Sequence, residues 1–296
     1  MADAAVGAAG AAVAVRRRPR MNKTVRRLLR DWAALAGATI LLLLTGSTLL
    51  APWILPYGYA EVVAYPFEPA SAQFWLGTDE IGRDIFTRII YGARVSLTVG
   101  FVSTAIALAG GIPLGLISGY RGGVVDTIVM RLMDMMFAFP AIILALAIIA
   151  VLGPSLVNAM IAIGVMQIPL FARLVRGNTL SLKNQDYVQA AVAAGAGMAR
   201  ILTFHILPNT MSAVMVQFTL TFAGAVLVEA ALSFLGLGVA PPTPSWGAML
   251  DTGRKLITIS PLYSVSAGAA IFVTVLGLNL VGDALRDALD PRMVDA

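Results

Sequence analysis

Cysteine is absent from the 296 residues, which excludes disulfide scaffolds, thiolate zinc sites, iron–sulfur clusters and cysteine nucleophiles. Histidine occurs once, at His205, so a multi-histidine metal centre is excluded as well. The three lysines are Lys23, Lys183 and Lys255, and none follows a glycine, so there is no G-x-x-x-x-G-K-[ST] loop to cradle nucleotide phosphates. Neither a G-x-S-x-G elbow nor an H-E-x-x-H pair occurs. No catalytic residue, metal ligand or resident cofactor is therefore expected in this chain. Charge is scarce too: 12% of residues are Asp, Glu, Lys or Arg, against roughly a quarter in a soluble domain. With 58% hydrophobic residues and a mean hydropathy of +0.84, such a chain cannot clothe a globule in water. Its solvent is lipid.

What charge there is sits at informative places. Trp32 to Ala51, Val95 to Tyr120, Ile201 to Val228 and Leu256 to Gly282 carry none. Gly153-Pro154 divides a longer gap, Met135 to Ala172, into two stretches of 18 residues. Each stretch approaches or exceeds the roughly 20 apolar residues that cross a bilayer as a helix. Six spans are predicted, at about 32–51, 95–119, 130–152, 155–173, 209–235 and 262–282. A backbone in lipid must satisfy its own hydrogen bonds, and runs such as Ile40-Leu-Leu-Leu-Leu44 do not alternate as barrel strands do. The fold class is all-α and polytopic.

The tail before Trp32 carries eight of the 21 basic residues. Placing it inside puts sixteen Lys and Arg on that side, against five outside: Arg83, Arg88, Arg94, Arg254 and Lys255. Both termini are thus predicted to be cytoplasmic. The excess charge, net +5 with an isoelectric point near 9.8, is topological, with contact to anionic lipid headgroups as a second use. Nucleic-acid binding is not expected, because no folded basic domain exists to present it. The first span is long and begins after 31 residues, so it reads as an anchor and not as a signal peptide. The predicted organisation is a basic tail over 1–31, a first span over 32–51, an outer loop with an amphipathic segment over 52–94, and a five-helix core over 95–292.

Between the spans, residues 174–208 form the largest inner loop. Asp186 is a plausible N-cap, Val188 to Ala194 is alanine-rich, Gly195 and Gly197 permit a bend, and a helical pattern resumes from Met198 to Ile206 before Pro208. A bent helical element with small surface residues either docks another protein or rests on the membrane.

Gln189-Ala190-Ala191, followed by Gly195 and by Ile206-Leu207-Pro208, resembles the EAA loop of ATP-binding-cassette (ABC) importer permeases. Three further segments resemble the C-type permease of dipeptide, oligopeptide and nickel importers. They are Leu76-Gly-Thr-Asp-Glu-Ile-Gly-Arg-Asp-Ile-Phe-Thr-Arg88 with Tyr91-Gly-Ala-Arg-Val-Ser-Leu97, then Glu229-Ala-Ala-Leu-Ser-Phe-Leu-Gly-Leu-Gly-Val239 with Pro241 to Met249, then Gly282-Asp-Ala-Leu-Arg-Asp-Ala-Leu-Asp-Pro291-Arg292. The resemblance runs in order from about residue 74 to residue 292. It implies the type I importer permease fold, residence in the cytoplasmic membrane, and a non-catalytic role. The implied partners are a homologous second permease, two P-loop ATPase subunits that bind the ATP and magnesium, and an extracytoplasmic solute-binding protein. Within the 186–208 loop it implies ATPase docking by Tyr187, Gln189, Ala190, Ala191, Gly195, Leu207 and Pro208. Position 189 departs from the pattern, since Gln keeps the length of Glu but not its charge. The implied cargo is a di- or oligopeptide, with glutathione or a nickel chelate as alternatives. A stand-alone channel or secondary transporter is the rival class, which usually carries several intramembrane ionisable residues.

Two further groups stand out. Glu229 has 28 uncharged residues before it and 21 after, and an intramembrane carboxylate must face protein, water or a pore. It is either on the translocation pathway or hydrogen-bonded to a neighbouring helix. Asp79, Arg83, Asp84 and Arg88 have i,i+4 spacings on a short amphipathic stretch. They either contact an extracytoplasmic partner or pair among themselves. Asp126, Arg131 and Asp134 are expected to pair locally or at the ATPase interface, and His205 and the Met130–Met136 group to serve packing.

Overall fold

A computed structural model describes residues 27–289, and the basic tail up to residue 26 and the Pro291-Arg292 ending lie outside it. Among the described residues the regular structure is helical, apart from one isolated bridge between Thr78 and Asp84. The helices are α1 (Trp32–Ile54), α2 (Ile85–Arg121), α3 (Gly123–Phe137), α4 (Ala141–Leu152), α5 (Leu156–Leu182), α6 (Asp186–Ala193), α7 (Met198–Ile201), α8 (Leu207–Phe234), α9 (Trp246–Lys255) and α10 (Pro261–Leu289). A π-helical turn, Leu202–Ile206, joins α7 to α8.

Among the described residues five helices are long and apolar enough to cross a membrane, and α3 with α4 make a sixth span if the bent pair counts as one. The predicted span over 130–152 is therefore corrected: the chain turns by 93° between α3 and α4. The cause is Pro140, which lacks an amide donor and disfavours a helical residue before it. The other spans exist but run beyond their charge-free cores. α2 starts ten residues before position 95, α5 continues to Leu182 and α10 to Leu289. A charge gap marks what faces lipid; a helix can carry charge wherever protein or water receives it.

Side-chain caps fix several starts. Asp31, Asp84, Ser155 and Ser245 accept from the backbone amides of Ala33, Thr87, Asn158 and Ala248. The central contact is α2 against α5. Gly111, Gly115 and Gly119 recur every fourth residue on α2 and let the backbones meet. A methyl group at Gly115 would stand 2.5 Å from the Ala172 carbonyl oxygen, and one at Gly119 2.8 Å from the Thr179 Cβ. α10 packs on α8 and on α1, where Gly37 approaches Gly277. At one end of the bundle Val99, Ile149, Ile163 and Leu232 form a buried cluster; at the other Phe171, Val175, Val188, Ile201 and Ile206 form a second.

Candidate functional site

The second cluster holds the 186–208 element in place. α6 turns one residue, Val188, fully into the core, while Tyr187, Gln189 and Ala190 stay exposed and Ala191 is half-buried. Asp186 is the first helical residue and Gln185 occupies the N-cap without a side-chain bond, which corrects the expected cap. The helix ends in a Schellman turn. Gly195 has φ +82°, its amide donates to the Val192 carbonyl at 2.9 Å, and the Ala196 amide donates to the Ala191 carbonyl at 3.0 Å. A Cβ at Gly195 would meet nothing within 4 Å, so the glycine is required by its dihedral and not by crowding. The chain then re-enters the core through Ile201 and Ile206.

The face left open is small and apolar. Tyr187, Val192 and Phe204 are 43%, 43% and 74% exposed, and the alanines of α6 other than Ala191 are exposed with them. Phe204, carried on the π turn, was missed by sequence reasoning; an aromatic six residues after the restart at Met198 was its only signal. The Gln189 side-chain amide donates to the Lys183 carbonyl at 2.8 Å, a local use that needs no charge. Tyr187 and Asn209 both donate to the His205 carbonyl, at 3.4 and 2.7 Å, so His205 contributes its backbone. Leu207 is half-buried and Pro208 exposed at the start of α8. The same end carries two ion pairs from α3 to α5. Asp126 receives a forked bond from Arg176, both arms 2.6 Å, and Asp134 receives Arg173 at 2.6 Å. Arg173 also lies over the Phe137 ring, 4.3 Å from its centroid.

At the opposite end one of the two expected i,i+4 pairs forms, Asp79 with Arg83, though in a turn and not in a helix, while Asp84 and Arg88 do not pair. The four are buried, at 0%, 6%, 5% and 7% exposure. Asp79 precedes α2 in a tight turn, with Gly82 at φ +86°, and receives Arg83 at 2.6 Å. Arg88 comes within 3.4 Å of the same carboxylate and donates to the Tyr59 carbonyl at 3.1 Å and the Pro242 carbonyl at 3.4 Å. Asp84 is the N-cap of α2 and makes no ion pair with Arg88. Capped onto α2 and buried, Asp84 does not present its carboxylate at the surface. These groups fasten the 55–84 loop to the 236–245 loop, leaving Tyr65, Trp75 and Ile81 exposed on the outside.

Glu229 lies inside the bundle on α8, 2% exposed. Its two oxygens accept from Ser96 of α2 at 2.9 Å and Ser233 of its own helix at 2.7 Å, and Ser245 adjoins it. Its isolation in sequence left a place on the translocation pathway and a hydrogen bond to a neighbouring helix both open; that Ser96, 133 residues away, would be a partner was not legible.

Over residues 111–295 the sequence matches the family described as "Binding-protein-dependent transport system inner membrane component", and over residues 20–71 "N-terminal TM domain of oligopeptide transport permease C". It is 46% identical to the dipeptide transport system permease protein of Alkalihalophilus pseudofirmus over 92% of this chain and 90% of that one. Identity to the glutathione transport system permease protein of Pectobacterium atrosepticum is 44%, over 90% of each chain. The di/tripeptide transport system permease protein of Pseudomonas aeruginosa is 45% identical over 89% of each.

Proposed function

The chain belongs to the family of inner-membrane components of binding-protein-dependent transport systems, and from that premise we propose that its cargo is di- or oligopeptides and that residues 186–208 are its connection to a motor. It is a multi-pass permease subunit of an ABC importer. Two relatives named for dipeptides or di- and tripeptides, and one named for the tripeptide glutathione, support a short peptide as the translocated solute.

The observation that carries the coupling role is the exposed apolar face around α6, anchored to the core by Val188 and closed by the Gly195 turn. In this reading the face seats in a cleft of an ATPase subunit, with Tyr187, Gln189, Ala190, Ala191, Gly195, Leu207 and Pro208 at or beside the contact. Two P-loop ATPases bind ATP and magnesium, and one of them grips this loop. A second, homologous permease supplies the other half of the path. ATP-driven closure moves the loop as a rigid body, because Val188, Ile201 and Ile206 tie it to α5 and α8. Both termini then lie in the cytoplasm, and the loops over 55–84 and 236–260 receive a loaded binding protein. Their contact residues are the exposed Tyr65, Trp75 and Ile81, with Asp79, Arg83, Asp84 and Arg88 holding the shape beneath. Glu229 ties α8 to α2 beside the path. Reconstitution tests the assignment: proteoliposomes containing this chain, the second permease, both ATPases and the binding protein take up labelled dipeptide only with ATP. Uptake by this chain alone, with no nucleotide-hydrolysing partner, would overturn it.

A further inference from the structure

Five basic residues lie in the segments assigned to the outer side, and four make ion pairs within the protein. Arg83 and Arg88 face Asp79, while Arg254 and Lys255 face Asp251. Arg94 is the exception. It is exposed and has no hydrogen-bond or ion-pair partner among the described residues. It stands where α2 enters its charge-free stretch, and it lines a groove of about 430 Å³ between α1, α2, α8 and α10.

The rest of that groove is hydroxyls and hydrocarbon. Thr45 and Thr48 of α1 and Thr98 of α2 line it with Arg94, and Leu41, Leu97 and Phe101 extend it along the helices. Its depth follows from α1, whose Trp32 and Trp53 are 78% and 79% exposed near the two ends. Twenty-one residues at 1.5 Å each separate them by about 31 Å, the thickness of a bilayer's hydrocarbon core. Thr48 and Thr45 then lie about 7 and 12 Å below the Trp53 level. An exposed guanidinium just inside that boundary is costly unless an anion meets it. Lipid phosphates are the anions present at that level. A guanidinium binds phosphate through two parallel bonds, which an ammonium cannot reproduce.

We propose that this groove is a binding site for one anionic phospholipid of the leaflet at the Trp53 end. Arg94 forks onto the phosphate, Thr48 and Thr98 face the upper part of the lipid, and an acyl chain lies along Thr45, Leu41, Leu97 and Phe101. The lipid fills the gap between the peripheral helix α1 and the core, so it belongs to the fold of the subunit and not to the transport path.

The test uses the purified full chain, delipidated in neutral detergent and titrated with phosphatidylglycerol, phosphatidylcholine or inorganic phosphate, with bound lipid counted by native mass spectrometry. The wild type retains one tightly bound phosphatidylglycerol, and Arg94→Gln binds it about tenfold or more weakly. Arg94→Lys, which keeps charge but loses the fork, falls between them and serves if Arg94→Gln does not fold; thermal melting checks folding. Equal retention by wild type, Arg94→Lys and Arg94→Gln would overturn the site. So would equal affinity for phosphatidylcholine, or displacement of the lipid by excess inorganic phosphate, which would mark a small-anion site. Loss of the Arg94-dependent lipid on adding the second permease would assign the groove to a protein contact instead.

Discussion

Replacing Gly195 separates the shape of the coupling element from its mere presence. The residue occupies the left-handed region at φ +82° with open space around its Cβ position, so a side chain adds backbone strain and no clash within this chain. An L-residue held there costs roughly 1–2 kcal/mol, most for a β-branched one and least for Asn, which tolerates the region. At that cost the population holding the turn falls by a factor of about 5–30. The two bonds that close α6, from the Gly195 and Ala196 amides, weaken together. Uptake and ATPase co-purification should therefore rank Gly195 above Asn, Asn above Ala, and Ala above Val. Gly46→Ala, on α1 with nothing within 4 Å, is the control and leaves both unchanged. Proteoliposome uptake at fixed ATP, with the retained ATPase measured by quantitative gel, reads the series. Full activity of Gly195→Val would refute the docking role of the turn. Asn as damaging as Val would refute the dihedral argument and point to a steric fit against the partner.

Three further outcomes follow from other contacts. Gly115→Leu places carbon 2.5 Å from the Ala172 carbonyl and should lower the melting temperature in detergent by an overpacking cost of about 1–3 kcal/mol, while Gly177→Ala, with open space, should not. Glu229→Gln keeps an acceptor for Ser96 or Ser233 and should melt close to wild type. Glu229→Leu strands both hydroxyls and should lose about 1–3 kcal/mol; identical melting of the two variants would remove the tie between α2 and α8. Asp251 is held below its ordinary value near 3.8, first by the hydrogen bond from Lys255. Its contribution is thus complete above that ordinary value and lost as pH falls through the lowered one, so melting of Asp251→Asn should show a smaller acid-induced drop than wild type.

The candidate sites were legible to different depths. The 186–208 element could be read closely because its information is local: alanines for helix, glycine for the turn, proline for the restart. The outer charged segment was read with the right members and the wrong geometry. Its i,i+4 spacings suit a helix, but Gly82 at positive φ makes a turn, and Arg88 finds carbonyls 29 and 154 residues away. The third span was drawn through Pro140 because counting charge takes no account of a missing amide.

Sequence alone determined that this chain lives in lipid, that it is helical there, where five of the crossing helices lie, and which family it resembles. All of these rest on composition, local backbone demands or residue order, none of which needs a distant neighbour. Tertiary structure decided which charges are spent inside the protein. Asp79 with Arg83 and Arg88, Asp126 with Arg176, and Glu229 with Ser96 are satisfied at home, whereas Arg94 and the face around Tyr187 are left open. That sorting depends on which side chains the helix packing brings within about 3 Å, and spacing along the chain does not encode it.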